Sequence, residues 1–164
     1  MRQFPVVLAL GIIVAAGSVG CDKPAEDASI FVADLAGANE VPARGTAAIG
    51  TVGLYVDGNT VDYTIEVHGI TSITGAHIHS GAAGANGSIR IALFPAPGTN
   101  FLPAGTSTDA VDGILISGSF QASQVTGVTY EELLNQMRAG TAYTNVHTTQ
   151  FPGGEIRGQV RLAR

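Results

Sequence analysis

The chain of 164 residues has one cysteine, no tryptophan and little charge, with Asp, Glu, Lys and Arg making up 13 % of it. A single cysteine excludes an intrachain disulfide. Basic residues are the scarcer sign, eight against thirteen acidic, for a net charge of −5. That balance argues against a nucleic-acid partner and against a polybasic contact with anionic lipid. The motifs of nucleophilic and phosphate chemistry are missing too. There is no Gly-x-Ser-x-Gly and no phosphate-binding glycine loop ahead of a helix. No pair of carboxylates stands out by its spacing.

Long apolar runs are missing except for one, Phe4 to Ala16, which follows the positive Arg2. It is short of the ~20 residues of a comfortable membrane span and reads as a secretion signal. It ends in Gly17-Ser18-Val19-Gly20-Cys21, a small residue followed by the one cysteine. This resembles the lipobox of bacterial lipoproteins, in which the cysteine is lipidated and becomes the mature N-terminus. Ser18 departs from the aliphatic residue usual there. An ordinary cleaved signal and an uncleaved anchor are the other readings. Residues 1–20 are thus expected to be a signal peptide. Cys21 with residues 22–28 (Asp22-Lys23-Pro24-Ala25-Glu26-Asp27 and Ala28) forms a lipidated polar tether, and 29–164 forms one domain. Removing Arg2 leaves seven basic residues, a net charge of about −6.

Glycine is plentiful, at 22 residues, and it punctuates many short apolar runs. In Val61 to His68 the apolar Val61, Tyr63, Ile65 and Val67 alternate with Asp62, Thr64, Glu66 and His68, the pattern of a half-buried strand. Further strands are expected at Ile30–Leu35, Ile49–Val56, Ala76–His79, Ser88–Phe94, Gly113–Phe120, Tyr143–Thr148 and Glu155–Leu162. Asp57-Gly58-Asn59 predicts a tight hairpin, and Pro152-Gly153-Gly154 a type II turn. Pro95 to Asp112 reads as a long loop. Thr129 and Glu132 form a capping-box pattern, Leu133, Leu134 and Met137 an apolar stripe, and Gly140 a stop. The prediction is an all-β Greek-key sandwich or barrel of seven to nine strands, with one short helix near 129–139.

Three of the four histidines fall in two short segments, Ala76-His77-Ile78-His79 and Asn145-Val146-His147. On a strand, His77 and His79 point to the same side, roughly 7 Å apart. Two imidazoles so placed can take one ion, and neutral imidazole suits zinc, copper, nickel or iron. His147 is the natural third ligand. The bland alternative is a structural polar cluster bonded to backbone groups. His68, beside Glu66, reads as an exposed, solvated histidine. Glu155 and Arg157 share a strand face and read as a rim ion pair, with Glu155 a second candidate to orient a histidine. Asn86-Gly87-Ser88 matches a glycosylation pattern but reads as a plain turn.

The run Ala76-His77-Ile78-His79-Ser80-Gly81, then Gly84-Ala85-Asn86-Gly87, then a strand ending in Leu93-Phe94, resembles the CHRD domain, named after chordin. So does Gly140 to Thr148 followed by Pro152-Gly153-Gly154-Glu155-Ile156-Arg157-Gly158-Gln159. The resemblance runs from about Ser29 to Leu162, with Ser88 where the family usually has proline. It implies an extracytoplasmic β-domain, in bacteria often secreted or lipid-anchored, and brings no established enzymatic activity. Its motif residues fall on His77, His79 and His147, with Asn145, Glu155 and Arg157 beside them. Chordin itself antagonises bone morphogenetic proteins, a partner that does not transfer to a bacterial lipoprotein, so a protein partner stays unidentified. A looser similarity is to copper-zinc superoxide dismutases, which place a His-x-His pair on a Greek-key barrel; an immunoglobulin-like sandwich is the other fold of this kind. The dismutase cysteine pair and the His-rich zinc loop are missing here. The expectation is a lipid-anchored protein of the bacterial cell envelope, with its membrane contact through Cys21. It would bind copper before zinc through His77, His79 and His147, with Asn145, Glu155 and Arg157 around them. A non-catalytic interaction module and a dismutase-like enzyme are the alternatives.

Overall fold

The computed structural model describes residues 29–95 and 110–163. The signal segment, Cys21, the tether and most of the Pro95–Asp112 loop lie outside the described residues. Nine strands form one antiparallel sheet: β1 (Ser29–Ala36), β2 (Ile49–Asp57), β3 (Thr60–Ile70), β4 (Ile73–Ser80), β5 (Ile89–Phe94), β6 (Val111–Gln121), β7 (Ala142–Thr148), β8 (Ile156–Gln159) and β9 (Arg161–Leu162). The strand order is β5-β4-β7-β8-β1-β2-β3-β6, with β9 added to β1, and the sheet curls into a nearly closed barrel. Only Thr71 and Ser72 separate β3 from β4, yet β4 pairs with β5 and β7, while β6 returns to pair with β3. That return is the Greek-key connection.

The alternation seen in the sequence sets which face is buried. In β3, Val61, Tyr63, Ile65 and Val67 point inward and Asp62, Thr64, Glu66 and His68 outward. Phe31, Ala33 and Leu35 of β1 and Val52, Leu54 and Val56 of β2 join them, with Ala76, Ile78, Val146 and Ile156 from the other half. The β2–β3 hairpin turns on Gly58 and Asn59, with positive φ at Gly58 alone, the type II′ pattern. Helix α1 (Tyr130–Arg138) closes one end of the barrel with Leu133, Leu134 and Met137. Its N-terminus carries the expected reciprocal cap. The Glu132 backbone N–H donates to Thr129 Oγ1, and the Thr129 N–H donates to Glu132 Oε2. No helix among the described residues is long and apolar enough to cross a membrane.

Two local expectations change. The run Glu155–Leu162 is not one strand. It breaks at Val160, whose backbone N–H turns to Ala142 O while its side chain enters the core, so β8 pairs with both β7 and β1 and β9 with β1 alone. The turn after Phe151 is closed by Gly154 N–H onto Phe151 O, but the positive φ falls on Gly154 (118°) rather than on Gly153, which rules out type II.

β7, like its neighbour β8, is buried on both faces. Ala142, Thr144, Val146 and Thr148 form one set and Tyr143, Asn145 and His147 the other, so the polar side chains of the second set are enclosed without being in the barrel core. Ile78, fully buried between His77 and His79, keys β4 into that core. Ile78→Ala should therefore lower unfolding stability by about 2–5 kcal/mol, measured by urea denaturation at neutral pH.

Candidate metal centre

The histidines meet because β4 and β7 are neighbours in a fixed register. Gly75 stands opposite His147, His77 opposite Asn145, and His79 opposite Tyr143. All of these face out of the barrel, beneath the loop that joins β4 to β5. His77 is therefore diagonal to His147, across Gly75. A Cβ on Gly75 would lie 3.1 Å from the His77 Cε1. The missing side chain gives the His77 ring room to lean toward His147, and the two ring centroids are 4.8 Å apart.

One ring nitrogen from each of His77, His79 and His147 lies within 4.8 Å of the other two. Two nitrogens held at ~2.0–2.1 Å from one ion are at most ~4 Å apart, so small side-chain rotations close the set. The hydrogen bonds fix which nitrogens are free. His79 Nδ1 donates to Gly87 O at 2.9 Å, and His147 Nδ1 donates to Pro152 O at 2.9 Å. A neutral ring that donates through Nδ1 carries its lone pair on Nε2. His79 Nε2 and His77 Nδ1 are buried with no hydrogen-bond partner. Burial pushes the His77 pKa down to about 4, helped by the neighbouring His147 and His79, and it lowers those of His79 and His147 as well. At neutral pH all three rings are uncharged, the form that binds metal.

A layer of polar groups holds the rings. Tyr143 stacks on His79 with centroids 4.6 Å apart and planes 7° from parallel, and its hydroxyl accepts the Gly87 N–H. On the β8 side of Tyr143 lies the Arg157 guanidinium, its carbon 3.4 Å from the ring centroid. Arg157 is 1 % exposed and donates to Ala82 O, Ala85 O, Asn86 Oδ1 and Gln159 Oε1. It thereby ties down the loop whose Gly87 carbonyl receives His79. Gly87 packs directly on the Ser80 carbonyl, which leaves no space for a side chain. Asn86 is occupied at both ends, since it also donates to Val41 O at 2.9 Å.

The remaining sequence candidates are distributed differently. Asn145 reaches the cluster, with Oδ1 2.9 Å from His147 Nε2. The Glu155 carboxylate is buried and accepts from Thr46 and Thr148 Oγ1, both at 2.7 Å, rather than from a histidine or Arg157. The rim ion pair expected of Glu155 and Arg157 is therefore replaced by two separate buried networks. His68 lies apart on β3, half-exposed, with Nδ1 2.6 Å from Asp112 and Nε2 3.2 Å from Glu66. Those acids raise its pKa.

Comparison with protein families places residues 31–160 in the CHRD domain. The chain belongs to the CHRD family. No curated protein and no solved structure matches it. The two histidine segments on which the sequence resemblance rested lie on β4 and β7, within the matched residues, and the strand pairing brings them side by side.

Sequence reading missed Gly75, Tyr143 and Glu40. Gly75 and Tyr143 sit at period-two spacing from the histidines, a signal that strand pairing alone turns into contact. Glu40 had no local signal. It lies beyond β1, 5 % exposed, with the Asn145 amide facing its carboxyl. Burial raises its pKa against the opposing pull of Arg157 and Asn145.

Two outcomes follow for the metal-free protein. An unfolded histidine titrates near 6.5, and folding lowers all three values. The unfolded chain therefore binds protons first as the pH falls. The stabilising contribution of neutral rings should be complete above pH 6.5 and be lost progressively toward pH 4, where His77 titrates. Urea denaturation at stepped pH should show this slope, and His77→Gln should flatten it. Separately, Arg157→Lys, which keeps the charge but loses the fork of donors, should cost at least about 2 kcal/mol. It should also speed amide exchange at residues 81–87.

Proposed function

We propose that this domain binds one transition-metal ion, copper before zinc, through His77, His79 and His147. The observation that carries the reading is the convergence of three neutral imidazoles, two of them with buried ring nitrogens that lack any partner. An unsatisfied buried polar atom costs about 1–3 kcal/mol, so a pair of them at one place is a standing disadvantage that an ion would remove. Imidazole donors suit copper and zinc, and a three-nitrogen set leaves a position for a further ligand. Membership of the CHRD family, together with the signal-like start and Cys21, supports an extracytoplasmic domain lipid-anchored at a bacterial membrane. The ion would serve binding, storage or modest redox chemistry.

The reading is tested by titrating purified protein with Cu(II). Electron paramagnetic resonance should show hyperfine structure from several nitrogens, which disappears in the His77→Ala, His147→Ala double variant. A spectrum identical in the two proteins would sink the idea. A second reading, a structural module, is favoured by the backbone bonds that His79 and His147 already make. It requires that neither copper nor a chelator shift the melting temperature, whereas a metal centre requires copper to raise it.

A further inference from the structure

We propose that Asn145 is a direct ligand of the ion, its side-chain oxygen completing a site of three nitrogens and one oxygen. This deepens the three-histidine reading and rests on it. Asn145 is 2 % exposed and lies on the same face of β7 as His147, opposite His77. Its Oδ1 is 2.9 Å from His147 Nε2. That contact has no proton to hold it together. His147 Nδ1–H is committed to Pro152 O, so a neutral ring presents a lone pair from Nε2. Amide Oδ1 is also an acceptor. Two acceptors face each other at hydrogen-bond distance. The Nε2 of His79, in the same cluster, repeats the problem: its ring proton is committed to Gly87 O and its own lone pair is buried without a partner.

Reversing the amide moves the conflict to an ionised Glu40. Nδ2 would then donate to His147, but Oδ1 would turn toward the Glu40 carboxyl, which the amide nitrogen now faces. The arrangement is self-consistent when a cation lies among one ring nitrogen of His77, His79 Nε2, His147 Nε2 and Asn145 Oδ1. A separation of 2.9 Å between two donor atoms is what one ion with bonds of ~2.0–2.2 Å imposes at angles near 90°. Glu40 then acquires a role: its carboxyl, on the amide-nitrogen side of Asn145, favours the orientation in which Oδ1 points at the ion. An amide oxygen is a hard donor beside three imidazoles, so the site is matched to a divalent ion, Cu(II) or Zn(II), over the softer Cu(I).

The test combines calorimetric titration with Zn(II), Cu(II) electron paramagnetic resonance, and the side-chain amide signals of Asn145 in nuclear magnetic resonance. In the wild-type protein, Zn(II) should shift the Asn145 Nδ2H2 pair. Asn145→Ala should weaken Zn(II) binding at least tenfold and change the copper spectrum. Asn145→Asp, which keeps an oxygen in place, should bind at least as tightly as wild type. Melting curves of the metal-free variants establish that each is folded; if Asn145→Ala is not, the Asp variant and the wild-type amide signals still decide. The proposal is overturned if Asn145→Ala binds with unchanged affinity and spectrum, if the Asn145 amide signals do not move, or if a folded Asn145→Asp loses the metal. A wild-type protein that binds neither ion overturns the three-histidine reading itself, an outcome separable from all of these.

Discussion

The pairing of β4 with β7 is the constraint on which the rest of the candidate site depends. Antiparallel register places Gly75 against His147, His77 against Asn145 and His79 against Tyr143. A slip of β4 by one residue would turn His77 and His79 into the barrel core and bring Ala76 and Ile78 out. Ile78 and Val146, both fully buried, oppose such a slip by filling the core on the other side of the same two strands. The apolar alternation that builds the barrel and the polar alternation that builds the cluster are therefore the same periodicity read from opposite faces.

A polar layer on the outside of a barrel would ordinarily be wet, and wet imidazoles would be loosely held. Here the β4–β5 loop folds over the sheet and Arg157 holds it there. The guanidinium spends four hydrogen bonds on the loop and on Gln159 and lies against Tyr143. A lysine has neither the planar fork nor the flat face that this arrangement uses. The same enclosure makes the ring nitrogens poor bases, because charge is disfavoured away from water.

Much of this was legible in the chain. Strand alternation in Val61–Val67 and the Thr129–Glu132 cap are local signals, and both appear in the fold as the sequence suggests. The separation of His68 from the other histidines was legible too, since its neighbours are acidic and its strand is half-exposed. What stayed hidden depends on distance along the chain. Arg157 and Glu155 stand two residues apart on an alternating segment, which reads as a surface pair. Only the loop of residues 81–87 and Thr46, far away in sequence, make them buried and separate. Glu40 was silent for the same reason. The break of β8 from β9 at Val160 was masked because a buried valine fits either a continuing strand or a bend.

The acceptors that fix His79 and His147 are main-chain carbonyls, those of Gly87 and Pro152. A carbonyl belongs to the path of the chain rather than to any residue's identity. Which ring nitrogen stays bare is thus insulated from most point substitutions in the surrounding loops, since replacing a side chain leaves the peptide oxygen where it was. The exceptions are positions where the path itself would have to move, and Gly87, pressed against the Ser80 carbonyl, is the clearest of them. The chemistry of the rings in this barrel is accordingly a property inherited from loop geometry, robust to drift in composition and vulnerable at a glycine that bears no functional group at all.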